Sequence, residues 1–265
     1  MPLRNGEVLI DDGNAAVPPA GQSMGLSPRN YGMHAFGALG IPMATTTVPK
    51  IPRSEWSDRI KELEDKKALL SDIRMTAGPN GGPIPSLDQN GKGYCWAHST
   101  VSAALLSRAK AGQPFADLSA YAIACIIKYY QDEGGWNGES MEFLRSRGCP
   151  TADHWPQRSM NASNDNPLTW ANAALNKDTE WIEIAEGDFD MQMTLLLMGH
   201  PHALDLNWWG HSVCAADPVE IERGSYGVRI WNSWGDSWSD QGMGVLTESN
   251  ARNNGAIALC VMLGD

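Results

Sequence analysis

The stretch Asp88–Leu106, "DQNGKGYCWAHSTVSAALL", places one cysteine between a glycine-rich run and an alanine-rich run with the composition of a helix. A lone cysteine is more often a small buried hydrophobe than a nucleophile. Cys95, however, opens the predicted helix, where the helix dipole and free backbone N–H groups lower the pKa of a thiol. Cys95 is therefore the candidate nucleophile. The other cysteines lie inside apolar patterns that favour a structural role: Cys125, Cys149, Cys214 and Cys260.

The composition is that of an acidic globular protein. The 265 residues are 42% hydrophobic, include 11 tryptophans and carry a formal net charge of −11. Nucleic acids and anionic membranes select basic surfaces, so neither is an expected partner. No apolar run is long enough to span a bilayer. The five cysteines form no CxxC pair, so we expect no metal site, no cofactor and no dense disulfide framework.

The N-terminus gives an expectation about the compartment. The sequence "MPLRNGEVLIDDGNAAVPP" lacks the basic start, continuous apolar core and cleavage site of a secretory signal. An odd number of cysteines without such a signal predicts reduced thiols in a cytoplasmic, intracellular setting. A chain carried inside a virion fits the same observations.

The pattern along the chain predicts three regions. Residues 1–70 form an N-terminal extension, with extended chain followed by an amphipathic helix at about 54–71. Residues 71–180 read as a helical lobe. Residues 181–265 read as a β-rich lobe of short apolar or alternating runs separated by turn residues. This order predicts an α+β fold with two lobes, and pockets favour such junctions.

A thiol nucleophile needs a base and a group that orients the base. His211 directly follows "NWWG" and leads the apolar run "SVCAA", which places it well to face a cleft. His98 is a rival, but it lies one helical turn beyond the cysteine, where packing begins, so we expect a packing or hydrogen-bonding role. Asn232 ends a predicted strand and precedes Trp234, so its amide could hold an imidazole under an indole. The alternatives are a buried core histidine and a structural or sugar-stacking tryptophan cluster.

Three segments together resemble the active-site blocks of papain-like cysteine peptidases of the papain and cathepsin type. They are "QNGKGYCWAHS", "GHSV" and "NSWGDSWSDQGMG", and they occur in the family's chain order. Weaker similarities, such as "LSAYAIAC" and "GGWNGESMEFL", extend the resemblance over about residues 70–265. The resemblance implies a helical left lobe, a β-barrel-like right lobe and an active site in the cleft between them.

The resemblance also implies roles for individual residues. Cys95 would be the nucleophile, and His211 its ion-pair partner and general acid/base. Asn232 would orient His211, and Gln89 would form the oxyanion hole with the backbone N–H of Cys95. We expect the cysteine sulfur and an imidazole nitrogen to lie within about 4 Å of each other.

Four further residues are candidates for substrate binding. Trp234 would shield the contact between the histidine and the asparagine. Gly138 sits where the family binds extended substrate through its backbone. The family usually carries an extra stretch of chain before the histidine, and this chain lacks it, so Trp209 and Gly210 would border the cleft. Trp208 and Trp209 could narrow the pocket that binds the substrate's second residue.

The sequence departs from the family pattern at several places. Lys92 and Trp136 stand where the family carries a disulfide-bonded pair of cysteines, so that bridge is absent. His211 follows Cys95 by 116 residues (211 − 95), against roughly 130–150 in papain-like enzymes. Residues 1–70 contain no recognisable inhibitory prodomain pattern.

These observations predict a thiol endopeptidase that cleaves protein or peptide substrates through an acyl-enzyme intermediate. One alternative is a structural or assembly protein, for example a virion component, on the same fold with an occluded site. Another is a thiol hydrolase that acts on peptidoglycan or isopeptide bonds. The N-terminal extension could bind a partner protein or its own cleft, so the contents of the cleft discriminate between these hypotheses.

Overall fold

The computed structural model describes residues 3–14, 17–28 and 48–262. Within these ranges the α-helices are α1 (Trp56–Asp65), α2 (Leu70–Arg74), α3 (Cys95–Lys110), α4 (Ala120–Ile127), α5 (Asn137–Ser146), α6 (Pro167–Ala173), α7 (Phe189–Leu197) and α8 (Glu248–Ala251). The strands are β1 (Val8–Ile10), β2 (Asp178–Ile184), β3 (His202–Leu206), β4 (His211–Glu222), β5 (Ser225–Trp231), β6 (Met243–Thr247) and β7 (Gly255–Met262).

The described strands form one seven-stranded sheet with the order β1-β6-β5-β4-β3-β7-β2. Neighbouring strands run antiparallel, except that β1 runs parallel to β6. Helix α3 packs against β3, β4 and β7, and the helices α2, α4 and α5 pack around α3. The molecule therefore has the α+β architecture that the sequence predicts.

Helix α3 is buried along most of its length. It starts at Cys95, where the sequence predicts that a helix opens, and every side chain from Cys95 to Leu106 is buried. Alanine and serine fill many of its positions, which lets the sheet and the neighbouring helices approach the helix on all sides. A helix that is enclosed all round is a rigid support for a residue at its first position.

The predicted helix at about 54–71 is two helices. Lys67 has a φ of 52° and ends α1 in a left-handed cap, and the N–H of Ala68 donates to the carbonyl of Leu63 at 2.8 Å. Helix α2 then starts at Leu70, whose N–H donates to the Asp217 carboxylate at 2.7 Å. The break follows from a contact with β4 that helical periodicity does not encode.

Strand β1 is an element that the sequence pattern does not predict. The sequence predicts extended chain before the helix at about residue 54, yet Ile10 is fully buried. Val8–Ile10 pairs with β6 over three residues. Part of the chain that is predicted to be extended, residues 29–47, lies outside the described residues. Among the residues described, no helix has the length and apolar character needed to cross a bilayer.

Candidate active site

Two neighbouring strands bring the predicted base and its orienting group together. His211 is the first residue of β4, and Asn232 directly follows β5, the antiparallel neighbour of β4. The Nε2 atom of His211 lies 2.8 Å from Oδ1 of Asn232, and both side chains are fully buried. Oδ1 can only accept a hydrogen bond, so His211 carries its proton on Nε2.

The other ring nitrogen of His211 is available for proton transfer. Its Nδ1 atom has no hydrogen-bond partner among the described residues. The amide oxygen of Asn232 is fixed as well, because it also accepts the N–H of Ser233 at 2.8 Å. A neutral imidazole held in this tautomer presents a basic Nδ1.

Tryptophan rings cover the imidazole on two sides. The ring of Trp234 stacks on His211 at a centroid distance of 4.7 Å, and Trp209 meets His211 edge-on at 5.0 Å. Both indoles are buried, whereas Trp208, which stacks on Trp209, is 42% exposed. Water is therefore excluded from the contact between His211 and Asn232.

Cys95 occupies the first position of α3 and is fully buried. Burial raises the pKa of its thiol to about 12, although hydrogen bonding from the backbone of Ser212 and Gly25 acts to lower it. Burial also lowers the pKa of His211 to about 4, against the opposing effect of Asn232. In this conformation the thiol and the imidazole are both neutral.

Hydrogen bonds fix the side chain of Gln89 next to Ser233, the residue that follows Asn232. Its Oε1 accepts the hydroxyl of Ser233 at 2.6 Å, and its backbone N–H donates to the carbonyl of Ser233 at 2.9 Å. This arrangement leaves Nε2 to donate, at 2.7 Å each, to the carbonyls of Ser23 and Lys92. The side chain is thus a preorganised donor of the kind that stabilises an oxyanion.

The N-terminal chain runs through the site as a cleft segment, Gln22–Ser27. The carbonyl of Gly25 accepts the N–H of Gly135 at 3.0 Å, and the N–H of Ser27 donates to the carbonyl of Gly135 at 2.8 Å. The N–H of Leu26 donates to the carbonyl of Gly210 at 3.1 Å. The segment pairs with Gly135 in the parallel direction.

The cleft segment also contacts residues that are expected to act on a substrate. The carbonyl of Ser23 accepts a hydrogen bond from Nε2 of Gln89, and hydrogen bonding from the backbone of Gly25 acts to lower the pKa of Cys95. The side chain of Gln22 binds Asp88 at 2.6 Å. In the described structure the site is filled by the protein's own chain.

Glycines on both sides allow this close approach. A β-carbon added at Gly25 would lie 2.2 Å from the Cα of Gly93, and one added at Gly134 would lie 2.6 Å from the carbonyl oxygen of Gly25. A β-carbon at Gly91 would lie 2.5 Å from the carbonyl oxygen of Gly21. Backbone therefore lies directly on backbone, and a side chain at these positions has no space.

The predicted substrate-binding residues divide into two groups. Gly210, Trp209 and Trp234 lie at the site as described above. Gly138 lies instead in the first turn of α5, where an added β-carbon would sit 2.0 Å from the ring of Trp136. The backbone pairing with the cleft segment is made by Gly135, three residues earlier, and the assignment of Gly138 to substrate binding stays a prediction. The pair of glycines at 134–135 is the signal in the sequence that marks this position.

His98 has the packing role that the sequence predicts. Its side chain is buried, and its Nδ1 lies 2.7 Å from the carbonyl oxygen of Tyr94. Its ring meets Tyr121 edge-on at 5.6 Å. Lys92, which replaces a family cysteine, pairs with Asp132 at 3.2 Å, and all five cysteines of the chain are free thiols.

Solved structures of cysteine proteases resemble this chain. Xylellain, a cysteine protease from Xylella fastidiosa, matches with a TM-score of 0.62 and 17% identity, covering 90% of this chain and 96% of that chain. The fold is that of papain-like cysteine proteases. The stem bromelain precursor matches this papain-like fold with a TM-score of 0.59 and 17% identity, over 83% of this chain and 76% of the other.

A proenzyme is also among the similar structures. Digestive procathepsin L 3 of the Tenebrio molitor larval midgut matches with a TM-score of 0.55 and 14% identity, over 79% of this chain and 90% of that chain. No family model matches the sequence, and no curated protein matches it either. The papain-like fold is thus established by structure, at identities too low to carry over an activity.

Buried histidines make the stability of this structure sensitive to acid. Burial lowers the pKa of His98 and His211 from 6.5 to about 4, and that of His202 to about 3. Between pH 6.5 and about 4 the unfolded chain binds protons that the folded chain does not, so the free energy of unfolding falls as the pH falls through this window. We expect the urea midpoint to be clearly lower at pH 4.5 than at pH 7.

A pair of variants tests whether buried histidines cause this loss of stability at low pH. Replacing His202 by asparagine removes one buried histidine and is expected to reduce the loss of stability on acidification. Replacing His154, which lies on the surface, by asparagine serves as the matched control. An equal loss in the His202→Asn variant and the parent protein would contradict the prediction.

Proposed function

We propose that this protein is a cysteine peptidase that hydrolyses peptide bonds, and that its cleft segment holds it in a latent state. The observation that carries the proposal is the contact between His211 and Asn232, which leaves Nδ1 of the imidazole without a hydrogen-bond partner among the described residues. The hydroxyl of Ser99, one helical turn after Cys95, lies 2.8 Å from the hydroxyl of Ser212, the residue next to His211, so the start of α3 and the start of β4 meet. The papain-like fold supports the same reaction class.

The geometry supports a specific sequence of proton transfers once the cleft segment has left. The sulfur of Cys95 attacks the substrate carbonyl as Nδ1 of His211 takes the thiol proton. The developing oxyanion is bound by Nε2 of Gln89 and the backbone N–H of Cys95. The imidazolium, held through Nε2 by Asn232, then gives its proton to the leaving amine. Water attacks the acyl-enzyme, His211 accepts a proton from it, and the carboxylate product departs with the thiol restored.

Two features of the cleft segment support latency. Ser23 already uses the donor of Gln89, so a substrate carbonyl must displace it. The backbone of Gly25 and Leu26 is also hydrogen-bonded to Gly135 and Gly210, so a substrate must displace these contacts as well.

A thiol-directed epoxide and a peptide substrate test the proposal. In protein whose cleft has been opened, for example by the Gly25→Ala change discussed below, we expect one epoxide per chain at Cys95 and cleavage of casein. Cys95→Ala is expected to lose both. Cys260→Ala, which removes a partly exposed thiol, is the matched control and is expected to keep both. Undiminished casein cleavage by Cys95→Ala would refute the assignment.

The filled cleft also favours one second candidate, a structural or assembly protein that keeps this fold with its site closed. This candidate predicts that opening the cleft makes Cys95 reactive towards the epoxide without producing cleavage of any substrate. Testing purified cell wall beside casein separates it from the alternative of a peptidoglycan hydrolase. Cleavage of casein alone supports the peptidase.

A further inference from the structure

The first described residues of the chain are built into the body of the protein, unlike the residues that follow them. We propose that this N-terminal anchor, Arg4–Ile10, remains bound as a noncovalent strand after the chain is cut in the exposed connector Val17–Gly21. Opening the cleft then removes the cleft segment from the site and leaves the N-terminus in the sheet. The proposal rests on the proposed function only in treating the cleft segment as a block.

Main-chain pairing and burial provide the first support. Val8, Leu9 and Ile10 pair in register with Gly244–Leu246 of β6 and form the edge of the sheet. Ile10 is fully buried in the hydrophobic cluster that also contains Val228 and Leu246. Complete burial of an isoleucine side chain removes a large apolar surface from water, which favours the bound state of the strand.

A buried ion pair provides the second support. The carboxylate of Glu7 is fully buried and binds the guanidinium of Arg229, which is 4% exposed, through two nitrogens. Burial has the largest single effect and would raise the pKa of Glu7, but the hydrogen bonds and positive charges of Arg229 and Arg4 together outweigh it and hold this pKa below its usual value. Arg229 also lies 3.6 Å from Asp217, whose carboxylate caps α2. Loss of Glu7 would leave a buried guanidinium short of a partner, which is strongly unfavourable.

Further polar contacts fix the ends of the anchor. The N–H of Val8 donates to Oγ of Ser239 at 3.0 Å, and the same hydroxyl donates to the carbonyl of Gly6 at 3.2 Å. Arg4 forms an ion pair with Asp72 of α2 at 2.6 Å. The anchor therefore contacts α2, β5, β6 and the turn before β6, which together hold it without help from the connector.

The connector has the opposite character. Val17 is 80% exposed, and Pro19, Ala20 and Gly21 are exposed as well. A β-carbon added at Gly21 would meet no atom within 4 Å. An endopeptidase can reach such chain, and hydrolysis by water of the bond after Ala20 would leave a carboxylate there and an amine on Gly21. The cut would free one end of the cleft segment while the anchor keeps its contacts.

An engineered cut tests retention directly. The sequence ENLYFQ is inserted between Ala20 and Gly21 in a Cys95→Ala background, so that the result does not depend on activity, and the folded protein is cut with the matching viral protease. After complete cutting, verified on a denaturing gel, we expect the N-terminal fragment to co-elute with the body in gel filtration and to appear in the native mass spectrum. Loss of the fragment from a body that keeps its circular dichroism spectrum would overturn the proposal.

Variants of the anchor test which of its contacts retain the cut fragment. Glu7→Ala and Ile10→Ala are each expected to speed dissociation of the cut fragment at least about tenfold, because about 1.4 kcal/mol of lost binding is a factor of ten. Asn5→Ala, a change at an exposed residue in the turn of the anchor, is the matched control and should not alter it.

A labelled peptide of residues 3–14 gives an independent reading if a variant does not fold. In the cut parent protein the labelled peptide is expected to replace the cut fragment beside β6. The amount of peptide bound then gives its affinity for this edge of the sheet. No exchange at peptide concentrations well above a micromolar Kd would contradict the proposal. The proposed function fails separately, on Cys95-dependent cleavage, so the two outcomes are distinguishable.

Discussion

Replacing Gly25 by alanine is expected to open the cleft and to make Cys95 react readily with thiol reagents. The new β-carbon would lie 2.2 Å from both the Cα and the carbonyl oxygen of Gly93, which are backbone atoms. Neither chain can yield by turning a side chain, so the cleft segment must lift and lose its hydrogen bonds to Gly135 and Gly210. Overpacking typically costs about 1–3 kcal/mol, which shifts the opening equilibrium about 5- to 160-fold.

The second-order rate of alkylation, followed by intact mass, measures this effect. Gly13→Ala places the same substitution in an exposed turn and is expected to leave the rate unchanged. Gly134→Ala makes the reciprocal clash from the other side, 2.6 Å from the carbonyl oxygen of Gly25, and should also raise the rate. Equal alkylation rates for Gly25→Ala and the parent protein would show that the segment does not shield the thiol.

Replacing Gln89 by glutamate is expected to change thiol access and turnover in opposite directions. Oε1 can still accept the hydroxyl of Ser233, but the second oxygen replaces a donor that faces the carbonyls of Ser23 and Lys92. Repulsion between these acceptors loosens the cleft segment, so alkylation of Cys95 should become faster. Loss of the oxyanion donor should lower kcat by about 10²–10³-fold, measured in the Gly25→Ala background.

A neighbouring glutamine separates the two effects. Gln22 binds Asp88 and the N–H of Gly91 but belongs to the cleft segment, not to the proposed machinery. Gln22→Ala is therefore expected to speed alkylation and leave kcat of the opened enzyme unchanged. A Gln89→Glu variant whose kcat equals that of its parent would remove Gln89 from the proposed oxyanion site.

Local patterns predict the elements whose side chains face the core. Residues 95–110 form the predicted helix, and Gly148, with a φ of 85°, follows α5 as a helix-ending glycine should. Helix α6 is not among the predicted helices although its start carries a recognisable pattern, since Asn166 caps the N–H groups of Leu168 and Thr169 and Pro167 occupies the first turn. The information that specifies α6 is therefore local.

Other features depend on contacts that no local pattern contains. The pairing of Gly135 with the cleft segment is made by backbone N–H and C=O groups, which every residue except proline possesses, so side-chain identity by itself does not mark it. Strand β1 escapes prediction because Val8 finds its partners near Ser239, 231 residues later in the chain. Three apolar residues in a polar, proline-rich segment do not by themselves indicate a buried strand.

The sequence by itself determined which chemical groups this protein carries and in what order. Gln89, Cys95, His211 and Asn232 occur in the order of the papain-like active-site segments, and this resemblance predicts a single site. Only the tertiary structure decided the state of that site. Burial keeps the thiol and the imidazole neutral, and the backbone of the cleft segment packs directly against the backbone of glycines. Both depend on residues far apart in the chain coming within van der Waals contact, and side-chain identity along the sequence does not encode that approach.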